Sequence, residues 1–324
     1  MIGKHWMKLE RIDPRRARTR KLASLSRIVS SKQLAAPLRK GASMRRFFQS
    51  LPDVLAARDL RTLARAIATA HRSGRTFLLM TGAHPIKVGL APIICDLMRD
   101  GILSAIATNG AAIIHDDEMA LAGRTSEDVG EGLADGSFGM AEETGAFLNR
   151  AARLATEEEL GLGEAVGREI NRAKLKFRSA SIFATAERLG IPATVHVAIG
   201  ADIIHMHPSA RGNLIGAATM SDFHRLTAVA GTLSRGVVLN LGSAVIMPEV
   251  FLKALNLARN LGRNARNFTA ADMDFLHQYR SRRNVVERPT ETGGTRITLT
   301  GHHELMFPLL AAAVREELSG ARHS

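Results

Sequence analysis

The chain has 324 residues, of which 45% are hydrophobic, 23% charged and 4% aromatic. This supports one large globular domain and excludes a disordered chain. Its net charge of +13 is local, because residues 1–46 carry 14 Lys and Arg against two acids, Glu10 and Asp13, while the remainder carries 30 against 29.

The body is therefore nearly neutral, and nucleic acid is expected as a partner only through the basic arm. That arm reads as a solvated or subunit-clasping segment, with an anion-binding tail or a targeting signal as the other readings. The longest apolar runs, such as FPLLAAAV at 307–314, fall far short of the roughly 18 residues that a membrane helix needs. One cysteine, Cys95, cannot form an internal disulfide and reads as a small core residue. The expectation is a soluble, cytoplasmic protein with an arm over residues 1–46 and a single domain over 47–324.

From residue 52 the pattern becomes regular. Val54, Leu55, Leu60, Leu63 and Ile67 recur at helical spacing up to Gly74. RTFLLMTG (75–82) reads as a buried strand, VGLAPIICDLMRDG (88–101) as a helix and SAIATNGAA (104–112) as a second strand. The stretch 116–190 is mostly helical. SASIFATAERLG then feeds the strand IPATVHVAIG, and TMSDFHRLTAVAGTLS feeds GVVLNLGSA. PEVFLKALNLARNLG follows as a helix, TRITLTG (295–301) as the last strand and HHELMFPLLAAAVREELSG as the last helix. Continuous apolar strands alternating with helices predict an α/β fold: a doubly wound, mainly parallel sheet with helices on both faces.

In such a sheet ligands bind outside the carboxyl ends of the strands. Those ends carry TGAHPIK, TNGAAIIHDDE, VHVAIGADIIHMHP, LNLGSA and LTGHHE, which hold most of the twelve histidines. Each feature has a plain structural reading: glycine for a turn, acids for a helix's first turn, histidines for a helix start. Their recurrence at five strand ends argues for a site. Glycine turns that open helices present backbone N–H groups to an anion such as a dinucleotide pyrophosphate. A His and carboxylate cluster could instead hold a metal, with His84, His115, His205, His207 and His302 as its ligands, although no HExxH or similar spacing supplies a set within one element. Neither GxGxxG after the first strand nor a GxSxG elbow is present.

The stretches TNGAAIIHDDE, SASIFATAERLGIPATVHV, GVVLNLGSAVIMPEVFLKALNLARN and TLTGHHELMFPLLAAAV resemble the deoxyhypusine synthase family, in particular its bacterial synthase-like branch, from about residue 75 onward. The resemblance implies an NAD-binding parallel-sheet domain, a homotetramer with active sites between subunits, and amine oxidation with transfer through an imine on a lysine. It also implies that TGAH, TNGA, LGSA and TGHH are cofactor loops. Two departures stand out. The segment ERPTETGGTRITLTG contains no lysine, and VIMPEV replaces the family's histidine after the glycine loop. Without an amine nucleophile there, transfer by that route fails. Lys87 stands as its substitute, or as the partner of a phosphate or acidic group.

The resulting expectation is an NAD-dependent enzyme acting on a polyamine, another amine or a similar small polar metabolite. His205, His207 and His302 would carry protons, with Lys87 as a further catalytic residue. Thr81, Gly82, His84, Thr108, Asn109, Gly110, Gly242, Ser243 and Gly301 would contact the cofactor. His115, Asp116, Glu118 and Asp202 would hold the substrate. The alternatives are a metal-dependent hydrolase or lyase and a non-catalytic NAD or polyamine binder.

Overall fold

The computed structural model describes residues 11–320. The chain enters through three short 3₁₀ turns between Pro14 and Gln33, mostly exposed, and reaches α1 (Met44–Ser50) and α2 (Leu55–Arg72). Residues 1–10 of the expected arm lie outside the described residues. Then follow β1 (Phe77–Thr81), α3 (His84–Lys87), α4 (Ala91–Arg99), β2 (Ala105–Asn109), α5 (Gly110–Ala122), α6 (Val129–Asp135), α7 (Glu142–Glu157), α8 (Leu162–Arg172), α9 (Ile182–Leu189) and β3 (Ala193–His196). The chain continues with α10 (Gly212–Gly231), β4 (Val237–Leu241), α11 (Ile246–Asn260), β5 (Thr269–Asp274), α12 (Tyr279–Ser281), β6 (Thr295–Thr300) and α13 (His303–Gly320). Among the described residues no helix is long and apolar enough to cross a membrane.

All six strands are parallel, in the order β3-β2-β1-β4-β5-β6. The alternation of side chains along a strand feeds both faces. Phe77 and Leu79 pack with Ile94, Phe307 and Leu310 on one side, while Leu78 and Met80 pack with Phe251 and Leu255 of α11 on the other. Burial on both faces is why β1 and β4 are apolar at nearly every position. The expected doubly wound fold is thus present.

One strand escapes the sequence pattern. β5, TAADMD, is built from small and acidic residues yet is buried over five of its six positions. Its acids are accommodated because Asp272 pairs in register with Asn240 of β4, whose Nδ2 donates to Asp272 Oδ1 at 2.8 Å. Two strands are also shorter than their sequence pattern. The strand read as IPATVHVAIG stops at His196, and the one read as SAIATNGAA stops at Asn109, where α5 begins without a linking loop.

Candidate active site

The strand order reverses between β1 and β4, so the two chains that follow them diverge and leave a crevice at their carboxyl ends. The turns touch at its floor. A Cβ on Gly82 would lie 2.8 Å from the Gly242 carbonyl oxygen, and Gly242 has φ +65°, a conformation that favours glycine. Asn240 shapes the second turn: its Nδ2 donates to the Ser243 carbonyl at 2.9 Å, and the Ser281 hydroxyl donates to the same oxygen at 3.1 Å. Among the described residues, the amides of Ala83 and His84 and those of Ala244, Val245 and Ile246 have no backbone or side-chain acceptor. Free amides of this kind, at turns that open helices, form a seat for an anion.

Beside this seat lies a chain of side chains. His303, the first residue of α13, is fully buried. Its Nδ1 is 2.9 Å from Nδ1 of the exposed His84, and its Nε2 is 3.4 Å from Asp274 Oδ1, outside hydrogen-bond geometry, since Nε2 has no hydrogen-bond partner. Two Nδ1 atoms in contact share one proton. The carboxylate facing His303 Nε2 places a proton on that nitrogen, which leaves His303 Nδ1 to accept from His84 Nδ1–H. His84 Nε2 is then an unprotonated base directed away from the relay. Partial burial holds the His84 pKa below the usual imidazole value, which keeps that lone pair free near neutrality. Phe275 packs against both rings, at 5.8 Å and 5.5 Å between centroids. The side chain at Gly242 must be absent for this to form, because a Cβ there would stand 2.5 Å from His303 Cε1.

The structure brings together some of the expected residues and separates others. His84 is in the relay, and the Lys87 ammonium is near enough to depress the pKa of both His84 and His115. His302 is exposed and stacks on Phe275 at an interplanar angle of 14°; the buried position belongs to its neighbour, His303. His205 and His207 lie beyond β3, whereas His302 lies beyond β6. Five strand spacings, about 24 Å, divide them, so they cannot share one proton-transfer step with His302. His205 Nδ1 accepts from the Gly200 amide at 3.3 Å, and the His207 ring is packed on Gly145 of α7.

Asp116 leaves the expected substrate set. It is buried within the fold and caps α9, accepting from Ser181 Oγ at 2.5 Å and the Ile182 amide at 2.8 Å. Glu118 accepts from Thr144 Oγ1 at 3.3 Å. Asp202 accepts from the Ala198 amide at 3.2 Å and lies so close to Gly110 that a Cβ there would be 2.1 Å from its Oδ2. Burial raises its pKa. An anion therefore fits the β1–β4 turns better than the start of α5, where Asn109 already caps the Ala112 amide.

Among the expected cofactor contacts, the hydroxyls of Thr81 and Thr108 donate to carbonyls of the sheet and its turns. Ser243 Oγ accepts from the Met247 amide at the start of α11. The two threonine hydroxyl protons are thus committed within the fold, while Ser243 Oγ keeps its own proton. Gly301 packs on Met306. Among the described residues no group of three or more His, Cys, Asp or Glu is gathered as a metal-ligand set, and the alternative ligands His84, His115, His205, His207 and His302 are divided as above. Sequence reading missed Asp274, and with it the role of His303, because the strand that carries Asp274 has no apolar signature. A cavity of about 750 Å³ lies elsewhere, lined by Arg45, Phe48, Arg61, Arg65 and Glu316 against α2 and α13. It holds none of the edge residues.

The chain matches no protein-family model and no curated protein. It is similar to several solved structures. The ternary complex of AgrE with ornithine and NAD+ aligns with a TM-score of 0.52 at 14% identity, over 82% of this chain and 34% of AgrE. A conserved protein of LOR/SDH type from Methanococcus maripaludis S2 aligns with a TM-score of 0.50 at 15% identity, over 94% of this chain and 75% of that one. A protein assigned as a deoxyhypusine synthase, from Entamoeba histolytica, aligns with a TM-score of 0.48 at 14% identity, over 86% and 95%. The chain spans about a third of the length of the AgrE chain it matches. Its six-stranded parallel sheet with covering helices is the fold it shares with AgrE and the LOR/SDH-type protein.

Proposed function

We propose that the chain is an NAD-dependent enzyme acting on an amine, an amino acid or a similar small polar metabolite, with its active site in the β1–β4 crevice. The observation that carries this reading is the pair of touching turns at the switch point, with free amides on both. That donor set suits a dinucleotide pyrophosphate, and the fold-sharing AgrE holds ornithine and NAD+ together. Bound there, NAD supplies a two-electron acceptor. Gly82 and Gly242 let the backbone approach the ligand, and His84 Nε2 takes the proton that the substrate releases. His303 receives the resulting charge beside the buried Asp274, which stabilises it. Asp274 and Glu304, both near enough to His84 to favour its protonated form, also favour a cationic substrate. Lys87 would face an acidic group of the same ligand. The homotetramer that the sequence resemblance implies belongs to this proposal.

The test is titration with NADH followed by fluorescence, and then turnover of an amine and amino-acid panel followed by NADH absorbance. Wild-type protein binds NADH with micromolar affinity. Gly82→Ala, whose new Cβ meets the Gly242 carbonyl, loses about tenfold or more, or ~1.4 kcal/mol. His84→Ala retains NADH binding and loses turnover. Wild-type protein that binds no dinucleotide refutes the proposal.

A further inference from the structure

A second imidazole at this edge is held by a different device. His115 lies on α5, 17% exposed at its side chain. At the end of α5 the chain turns back through Gly123, whose φ is +70° and whose missing side chain makes room for the Phe177 ring; a Cβ there would be 2.8 Å from that ring. The reversal returns Thr125 to His115, with Oγ1 2.6 Å from Nδ1. The same hydroxyl donates to Glu118 Oε2, and the other Glu118 oxygen accepts from Thr144 Oγ1 at 3.3 Å.

A hydroxyl carries one proton. Because an ionised carboxylate only accepts, the Thr125 proton goes to Glu118, and the Thr125 lone pairs can only receive from His115 Nδ1–H. The direction of this chain fixes the tautomer: Nδ1 holds the proton and Nε2 keeps its lone pair. Nε2 has no hydrogen-bond partner within the described chain, and it is not among the enclosed atoms that lack one. Burial, with a further contribution from Lys87 and against that of Glu118, holds the His115 pKa below the usual value.

We propose that His115 is a second proton acceptor of this edge, kept as its Nδ1–H tautomer by Thr125 and Glu118, which act as positioning residues. The Lys87 ammonium beside it disfavours a cationic neighbour, so the ligand group facing Nε2 is an uncharged O–H or N–H donor. The inference rests on the reading of this edge as a ligand site, but its test needs no ligand.

Nitrogen-15 NMR of histidine-labelled full-length protein reads the tautomer, with the His115 signals assigned by their loss in His115→Phe. In wild type Nδ1 is protonated and Nε2 is not, by about tenfold or more, the ratio that one retained hydrogen bond sustains. Thr125→Val removes the acceptor and moves the population toward the Nε2–H form, while Thr125→Ser restores the wild-type ratio. Glu118→Gln, whose amide can donate to Thr125, reverses the chain and also favours Nε2–H. A wild-type His115 protonated on Nε2 overturns the proposal, as does a ratio unchanged in both Thr125→Val and Glu118→Gln. If NADH binding fails while these shifts appear, the cofactor reading falls and the positioning of His115 stands.

Discussion

Asp117 supplies a prediction whose size follows from its surroundings. It sits on α5 between the candidate residues His115 and Glu118, is fully buried, and neither of its carboxyl oxygens has a hydrogen-bond partner. Burial, reinforced by the charges of Asp116 and Glu118 and opposed by Arg150, pushes its pKa up to about 8 from an ordinary value of 3.8. A carboxyl raised in the folded state binds a proton there that the unfolded chain has already released. Its contribution is therefore fully present below about pH 4 and is lost as the pH rises toward 8. At ~1.36 kcal/mol per pH unit, the interval from about pH 5 to about pH 7.5 removes about 3 kcal/mol. Asp117→Asn, which cannot ionise, abolishes this component. Asp116, Asp222 and Asp272, raised to about 6, 7 and 6 by burial, give the wild type a further slope of the same sign. The informative quantity is therefore the difference between variant and wild type. Urea denaturation at closely spaced pH values measures it: the variant should gain about 3 kcal/mol on the wild type across the interval. A difference that stays flat with pH refutes the argument.

Two further substitutions separate structure from ligand contact. Asp116→Ala leaves the Ile182 amide and the Ser181 hydroxyl without their acceptor and should cost about 2–3 kcal/mol of stability, with NADH affinity of the folded protein unchanged. Reduced affinity at full stability, from paired denaturation and titration, would return Asp116 to the ligand site. Gly242→Ala places a non-glycine residue at φ +65°, costing about 1–2 kcal/mol, and drives the His303 ring from its place. Histidine NMR should then show the His84–His303 hydrogen bond lost, whereas an unperturbed pair would show that the ring does not depend on the glycine.

What could be read from the sequence was whatever burial alone dictates. β1, β2, β3 and β4 are mostly apolar because a doubly covered parallel sheet dries both faces of its strands, while the edge strand β6 shows itself through the buried Ile297 and Leu299 alternating with polar residues. The glycines after them were visible because tight turns need them. β5 was invisible because its buried residues are Ala, Asp and Met, held by a cross-strand Asn240–Asp272 bond that does not exist until both strands are aligned. The misplacement of Asp116 has the same origin. An acid read as a helix's first turn, but lying at the middle of α5, looks alike in sequence whether it faces solvent, a ligand or the amides of another helix 65 residues away.

The histidines show why proximity is harder to read than composition. Every strand end carries polar residues, and along the chain those after β3 and β6 look equivalent. The strand order makes them opposite extremes of one edge, so His205 and His207 are removed from the His302–His303 end by the width of the sheet. The same order, with β1 in the interior and α3 formed immediately after it, lets His84 reach His303 on one side while Lys87 comes near His115 on the other. A ligand laid across the switch point would thus meet one imidazole oriented by a buried histidine and a carboxylate, and a second oriented by a hydroxyl and a carboxylate. Both keep an outward lone pair for the same reason: the inner nitrogen's proton is committed to a partner that can only accept. The two relays are built separately and arrive at the same polarity, whereas a neutral histidine satisfied within the core, as His196 is with Thr194, needs no such direction.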